Sequence, residues 1–381
     1  MSTWGVNFDT RVDVNDPVVV SLVARCHALA PVINGIPITP RRRDKLDRLN
    51  ILRAIRGTTG IEGAELTEEE VGLIMDTPQN KRALPKNRER AEQEGRNAEL
   101  LMKWVARLVR RNPRCPLTEK VILDLHKITT RNIAYPGNVP GQYRDFAIAV
   151  GGYIPPRDGE VVKNLMRQFI TWFGEGLPGT WDPIIRAIVA HFYIVSIHPF
   201  GDGNGRTSRA VESLLLYQAG INARGFYSLA NFYYQHRAEY VSFLDDVRFR
   251  TNGDLTPFVL FALNGLVSEL ESVHQEVLLE VREIAFRDYV REQFQGNLTT
   301  KSGRRMLDFM VLLGTDTISV KEIRSGGHPL HKIYKTLTPR TLYRDLEYLK
   351  DLQLITLGKD GCVKANMDVM GQYTAYKELV N

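Results

Sequence analysis

The sequence predicts a mainly α-helical protein with a short β-hairpin set into its middle and a distinct C-terminal domain that ends in a second hairpin. Three observations carry this. Apolar residues recur at helical spacing through most of the first 292 residues. The run from Ala134 to Pro156 interrupts that pattern with prolines, glycines and interspersed Tyr143, Phe146, Ile148, Val150 and Tyr153. The last eighty or so residues combine helix caps, a leucine stripe and two strand-like runs joined by a turn. A chain of 381 residues exceeds one ordinary core. The expected domains are 1–117, 118–292 and 304–381, with the polar stretch 293–303 as a linker.

Each element has a local reason. Residues 17–30 are an apolar helical stretch, and 44–56 place Leu46, Leu49, Leu52 and Ile55 at intervals of three. Thr67 with Glu70 forms a capping box that opens the next short helix. Residues 88–111 read as a charged amphipathic helix whose buried stripe is Leu100, Leu101, Trp104 and Leu108. A helix over 117–131 precedes the hairpin, and helices resume at Val161–Phe173 and Pro183–Ile197. The latter is apolar nearly all round, so it belongs in the centre of the core. Another runs from Arg206 to about Ala219 and is closed by Gly220. Residues 236–250 and 255–292 are helical, the second region as two pieces. In the final domain Ser319 and Glu322 form a capping box. Thr338-Pro339 starts a helix lined by Leu342, Leu346, Leu349 and Leu352. Helices followed by a hairpin over Leu354–Ala365 give the layout of a winged helix-turn-helix.

Composition bounds the function. The 43% hydrophobic and 25% charged fractions are those of a globular protein. No uninterrupted apolar run approaches a membrane span, and residues 1–17 lack the pattern of a secretory signal, so no membrane partner is expected. Cys26, Cys115 and Cys362 are far apart and lack metal-ligand spacing. They read as reduced thiols, two or more of them in the core, of a cytoplasmic protein. The net charge is +6, and residues 301–381 hold 13 Lys or Arg against nine Asp or Glu. That surplus of four is compatible with a nucleic-acid partner without establishing one. Arg41-Arg42-Arg43 reads as a solvated turn before a helix.

The chemistry concentrates between His198 and Arg209, in the run His-Pro-Phe-Gly-Asp-Gly-Asn-Gly-Arg-Thr-Ser-Arg. Gly201, Gly203 and Gly205 let backbone amides approach an anion and lead into a helix N-terminus, where the dipole favours negative charge. Arg206 and Arg209 are three residues apart and project from one side of that helix. Two guanidinium groups beside such a nest suit a polyphosphate. Asp202 is a hard oxygen ligand for Mg²⁺, Asn204 an orienting amide, and His198 a general base near neutral pH. There is no Walker sequence, and the preceding helix rules out a dinucleotide fingerprint. Alone, these residues describe a phosphate site with a base.

The run resembles the Fic family signature, His-x-Phe-x-Asp/Glu-Gly-Asn-Gly/Lys-Arg-x-x-Arg, at every defined position. The resemblance covers roughly residues 118–265 and implies a Fic-type helical core with a short hairpin flap. It implies AMP transfer from ATP to a Ser, Thr or Tyr hydroxyl of a target protein. His198 would take the hydroxyl proton and Asp202 would hold Mg²⁺. Gly203, Asn204 and Gly205 would cradle the phosphates, and Arg206 and Arg209 would hold the outer ones, while Phe200 anchors the loop. Gly141 to Pro156 looks like the family's flap, whose backbone pairs with the target by strand addition. Tyr234 and Tyr240 lie where members build an adenine pocket, with core tyrosines as the alternative reading.

Thr58-Thr-Gly-Ile-Glu62-Gly63 matches the family's inhibitory motif, Ser/Thr-x-x-x-Glu-Gly/Asn. Glu62 against Arg209 would neutralise the guanidinium and occupy the outer phosphate's space, with Thr58 supporting the turn. In some relatives the same glutamate helps remove AMP, and transfer of a phosphate or another nucleotide is a rival reaction. The C-terminal domain adds a second class, a DNA-binding regulator. Arg340, Tyr343, Arg344 and Glu347 lie off the leucine stripe, Lys359 and Lys364 lie on the wing, and Asp345 and Asp351 dilute the basic face. The expected partners are therefore a target protein, which can be the chain itself, DNA, and a second copy in a homodimer.

Overall fold

The computed structural model describes residues 2–3, 5–221, 229–251, 253–358 and 360–373. The chain forms two compact units, Met1–Gln275 and Glu276–Asn381. The division falls inside one helix rather than in the expected linker at 293–303. Residues 1–117 belong to the first unit rather than to a separate domain.

In the first unit, α1 (Pro17–Gly35) is capped by Asp16, whose carboxylate accepts from the amides of Val18 and Val19. Its length and apolarity would suffice to cross a membrane. It buries Val19, Leu22, Cys26, Ala30 and Ile33 along one stripe, at core-helix spacing. Helix α2 spans Pro40–Ile61 and α3 spans Glu68–Asp76, with both halves of the Thr67–Glu70 capping box formed. Helix α4 (Glu89–Arg111) departs from its expected stripe. Leu101, Val105 and Val109 are buried, whereas Leu100, Trp104 and Leu108 are only half-buried. The buried face also takes in Glu92, Glu94, Arg96 and Asn97, because each finds a polar partner there. Arg96 bonds Glu92 at 2.7 Å, and Glu92 accepts from the amides of Ala83 and Leu84.

Helix α5 (Glu119–Thr129) is capped by Thr118. The segment expected as a hairpin is mostly irregular. Only its tip pairs, with Val150 and Tyr153 exchanging two 2.9 Å backbone bonds around Gly151-Gly152. Strand β1 (Ser2–Thr3) pairs in parallel with β2 (Tyr153–Ile154). Helices α6 (Gly159–Thr171) and α7 (Pro183–Ile197) follow, and α7 is buried at every position except Pro183 and Arg186. Helix α8 (Asn204–Gln218) starts two residues before its expected position. Helix α9 (Leu229–Gln235) has no counterpart in the sequence reading, and α10 spans Arg237–Phe249. Helix α11 runs unbroken over Thr256–Phe294 instead of as two pieces. No proline or glycine pair interrupts it after Gly265, so continuation costs nothing local. Of the cysteines, only Cys26 is fully buried, which leaves Cys115 and Cys362 outside the core.

The second unit holds α12 (Lys301–Leu313), α13 (Val320–Ser325), α14 (His331–Tyr334) and α15 (Pro339–Asp351). An antiparallel sheet runs in the order β3 (Thr317–Ser319), β5 (Cys362–Ala365), β4 (Ile355–Leu357). Leu342, Leu346 and Leu349 of α15 join Phe309, Val363 and Phe294 in one core. Asp345 is buried in the same helix instead of diluting its exposed face. It accepts from Arg305 at 2.6 and 2.9 Å and from Tyr334 at 3.1 Å. Asp345→Ala is expected to destabilise this unit by about 3 kcal/mol, because it strands a half-sheltered guanidinium and a buried phenol. Urea unfolding of the full chain followed by circular dichroism measures the loss, and an unchanged midpoint would contradict it.

Candidate active site

The site grows from the C-terminal end of α7. His198 ends this buried helix in the left-handed conformation, φ 51°, and so turns the chain outward at a position where glycine is usual. Its Nδ1 lies 3.1 Å from the carbonyl of Val195. A carbonyl only accepts, so Nδ1 carries the proton and Nε2 keeps its lone pair. Burial lowers the imidazole pKa to about 4, outweighing the upward pull of the Val195 bond and the Glu62 carboxylate. At neutral pH the ring is therefore neutral and able to take a proton.

The loop after His198 is fixed from three sides. Phe200 is fully buried and stacks on the His126 ring at 3.7 Å. The Asn204 amide spans the turn, donating to the Phe200 carbonyl and accepting from the Phe200 amide, both at 2.8 Å. His126 bridges two segments. The Gly141 amide donates to its Nδ1 at 3.0 Å, so its Nε2 carries the proton and donates to the Asp202 carbonyl at 3.0 Å. Burial lowers the His126 pKa to about 4, so this neutral bridge survives well below pH 7. Gly203 has φ 76°, and a Cβ there would press on Thr130. Helix α8 then opens with no side chain capping its first turn, which leaves its leading amides free for an anion. Asn204→Ala removes both bonds across the turn in a residue only 2% exposed. A stability loss of about 1–3 kcal/mol is expected, measured as a lower thermal midpoint.

The two arginines have different settings. Arg206 lies 3.1 Å from Asp202 and 3.3 Å from Glu94, and Arg90 pairs with the same two carboxylates at 3.1 and 3.0 Å. Four alternating charges thus tie the loop to α4. Arg209 is buried and turns to α2 instead. Its Nε donates to Thr58 Oγ1 at 3.1 Å, and its Nη2 donates to the Thr58 carbonyl at 3.0 Å and to Glu62 Oε1 at 2.8 Å. Glu62 caps the end of α2, and Gly63 follows at φ 91°. Partial burial raises the Glu62 pKa, but Arg209 and then Arg206 outweigh this and hold it below the usual carboxylate value. A Cβ added to Gly205 would collide with Glu62 Oε1. The Glu62 carboxylate therefore sits against the first turn of α8, where an anion would be cradled. A cavity of about 520 Å³ adjoins this contact, walled by Thr58 on α2, Leu101 and Val105 on α4, and Arg206, Arg209 and Tyr217 on α8.

Glycines set the position of α2. A Cβ on Gly57 would clash with the backbone of Ala230, and one on Gly60 would enter the Tyr234 ring. Tyr234 therefore packs on α2 itself, with the Arg56 guanidinium 5.9 Å from its ring centre. Tyr240 is a core residue, in keeping with the alternative reading of that position. It is 3% exposed and lies 2.8 Å from His191 Nε2. Its neighbour Tyr233 donates to the buried Glu212 at 2.9 Å. The structure thus brings together His198, Asp202 to Arg206, Arg209, Thr58 and Glu62. The sequence reading missed His126, Arg90 and Glu94. A histidine on the buried face of α5 was the one visible signal among them.

Residues 116–216 match the family described as Fic/DOC. Among curated relatives, the protein adenylyltransferase Fic of Drosophila melanogaster is 34% identical over 206 residues, which cover 54% of this chain and 38% of that protein. The corresponding protein of Drosophila willistoni is 32% identical over the same share. The chain thus spans 38% of the length of these relatives. In fold it is similar to a Fic family protein from Desulfovibrio desulfuricans G20, with a TM-score of 0.55 and 21% identity over 92% of this chain and 96% of that one. It is also similar to Fic-1 (residues 134–508) from C. elegans, with a TM-score of 0.51 and 23% identity over 67% and 70% of the two chains.

Proposed function

We propose that this protein transfers AMP from ATP to a Ser, Thr or Tyr hydroxyl of a target protein and is held inactive by Glu62. The observation that carries the proposal is the placement of Glu62, 2.8 Å from Arg209 and against Gly205 at the start of α8. An anion nest that the chain fills with its own carboxylate is a nest suited to a phosphate. The names of the Drosophila relatives point to adenylyl transfer. His198 Nε2 removes the proton of the hydroxyl as its oxygen attacks the α-phosphorus of ATP, the bond to the β-phosphate breaks and diphosphate leaves, while the α8 amides with Arg209 balance the charge on the phosphates. Asp202 suits Mg²⁺ as a lone carboxylate. Among the described residues no cluster of three His, Cys, Asp or Glu stands ready for a metal. Phosphate oxygens and water would complete its shell, as is usual for this ion. Bound there, Mg²⁺ would supply charge neutralisation.

The partners proposed are an acceptor protein, which can be another copy of this chain, and a reducing compartment such as the cytoplasm suits the three free thiols. Incubating the chain with ATP and an acceptor, then weighing the product, tests the reaction. Addition of an adenosine monophosphate supports it, whereas addition of phosphate alone would replace it with kinase chemistry. Release of AMP from a modified acceptor would assign Glu62 a part in the reverse process.

A second reading concerns the C-terminal unit, which we propose as a winged helix able to bind DNA. Arg340, Tyr343 and Arg344 are exposed on α15, and burial of Asp345 removes one acid from that face. Lys364 is exposed on β5, while Lys359 lies outside the described residues. A salt-dependent gel shift that Arg340→Ala and Arg344→Ala weaken would support it. Binding indifferent to both substitutions would remove it.

A further inference from the structure

Arg144 lies in the segment expected as the flap and, at 2% exposure, is the least exposed arginine among the described residues. Its partners are backbone carbonyls. Nε donates to His198 O at 2.8 Å, Nη1 to Phe146 O at 2.7 Å and Nη2 to Pro156 O at 2.6 Å. Its own amide donates to Pro199 O at 2.9 Å. One residue therefore holds both ends of the 146–156 segment and both peptides that flank the turn into the signature loop. Nearby, Tyr153 from the same segment donates to Ser196 O at 2.7 Å. The Arg248 guanidinium stacks 4.3 Å from the Tyr153 ring centre and donates to Ser196 Oγ at 3.0 Å.

The last carbonyls of a helix have no intrahelical partner. Here two carbonyls at the end of α7, those of Ser196 and of the C-cap residue His198, accept from Tyr153 and Arg144 of the flap segment. A left-handed histidine is strained and persists only when its surroundings hold it there. A buried guanidinium with neutral partners is likewise expensive, and burial lowers its pKa to about 10. Two costly features joined by one bond call for a reason beyond packing. An apolar side chain would fill the same space without a charge, and it would leave the His198 carbonyl free to rotate.

We propose that Arg144 is a positioning residue, which locks the His198 peptide to the flap segment so that the imidazole and an acceptor laid along that segment share one frame. The proposal rests on the adenylyl-transfer reading and adds to it the device that sets base against acceptor. A fork with three donors in one plane holds three carbonyls at once, which the single ammonium of lysine cannot do.

The test uses the full chain carrying Glu62→Gly, with Arg144→Lys, Arg144→Met or Tyr153→Phe added. ATP affinity is measured by titration and transfer by initial rates on an acceptor protein. Arg144→Lys is expected to lower kcat by about 30–100-fold, the order that a displacement of about 1 Å costs. ATP affinity should stay within about threefold, because Arg144 touches none of the phosphate cradle. Tyr153→Phe should lower kcat by roughly three- to tenfold with the same pattern, and its isosteric change keeps a folded protein to measure. Removing the Arg144 charge should also move the acid limb of the rate profile upward, since Arg144, like Arg248, depresses the His198 pKa while Glu62 raises it. Retained kcat in Arg144→Lys and Tyr153→Phe, or a loss matched by lost ATP binding, would overturn the proposal. Absence of any transfer by the Glu62→Gly parent would instead overturn the reading on which it rests.

Discussion

Glu62→Gly is expected to raise AMP transfer by about 10–100-fold at fixed ATP. The estimate follows from the contact that disappears. A hydrogen bond between charged groups contributes about 1.5–3 kcal/mol, and each 1.4 kcal/mol is a factor of about ten. Two gains coincide: Arg209 is freed for a phosphate, and the space against Gly205 is vacated. Glu62 is about one-third exposed at its side chain, 32%, so the ion pair itself is partly screened and the upper end of the range needs both gains. Intermediate variants separate them. Glu62→Gln keeps the shape and loses the charge, so it should activate less than glycine. Thr58→Ala leaves Glu62 in place and should activate least, since the Thr58 carbonyl still holds Arg209. The glycine variant should also melt slightly earlier, because the inhibited form loses a stabilising contact. Activity and stability would then move in opposite directions. Labelling from ATP carrying a radioactive α-phosphate measures the effect, and equal labelling of wild type and Glu62→Gly would end the brake hypothesis.

What the sequence revealed and what it hid follow from the range of the interactions concerned. Thr67 with Glu70, Ser319 with Glu322 and Thr338 before Pro339 announce helix starts, because each cap forms within one turn. The signature loop was legible for the same reason, since its chemistry is contiguous. The Thr58–Glu62 contact with Arg209 spans 147 positions from Glu62, and it was reachable only through the family motif. Where partners come from elsewhere in the fold, the reading failed. Helix α4 looked like a leucine stripe with a charged back, but Glu92, Glu94, Arg96 and Asn97 turn inward, where each finds a partner outside the helix besides any within it. Asp345 looked exposed until Arg305, 40 positions away, folded onto it. Tyr240 could have been a cleft residue or a core residue, and His191 decided for the core. The expected hairpin shrank to one bridge because Arg144, rather than a strand ladder, satisfies the carbonyls of Phe146 and Pro156. Helix α11 passed for two pieces because its apolar pattern changes along its length, although its backbone has no reason to break.

His198→Ala in the Glu62→Gly background is expected to lower transfer by about 10²–10⁴-fold, the span covered by loss of a general base. ATP binding should survive, since the proposed phosphate cradle is built by Gly203, Asn204, Gly205 and Arg209, and the Asn204 bonds to Phe200 do not pass through the imidazole. The pH dependence distinguishes this base from an ordinary histidine. With a pKa near 4, the ring stays neutral through the mildly acidic range, so the rate should remain level from pH 7 to about 5 and fall as pH drops through 4. An unperturbed histidine, near 6.5, would already have lost most of its base form by pH 5.5. Stability has its own sign. His198 and His126 both have folded pKa values below the unfolded one, so the unfolded chain binds more protons between pH 6.5 and 4. Their neutral forms are accommodated at no cost above pH 6.5, and the fold weakens as pH falls toward 4. Initial rates taken before unfolding, with a circular dichroism control at each pH, keep the two effects apart. A rate that halves near pH 6.5 while the fold is intact would show a solvated imidazole, and the burial that defines this base would then be absent from the working enzyme.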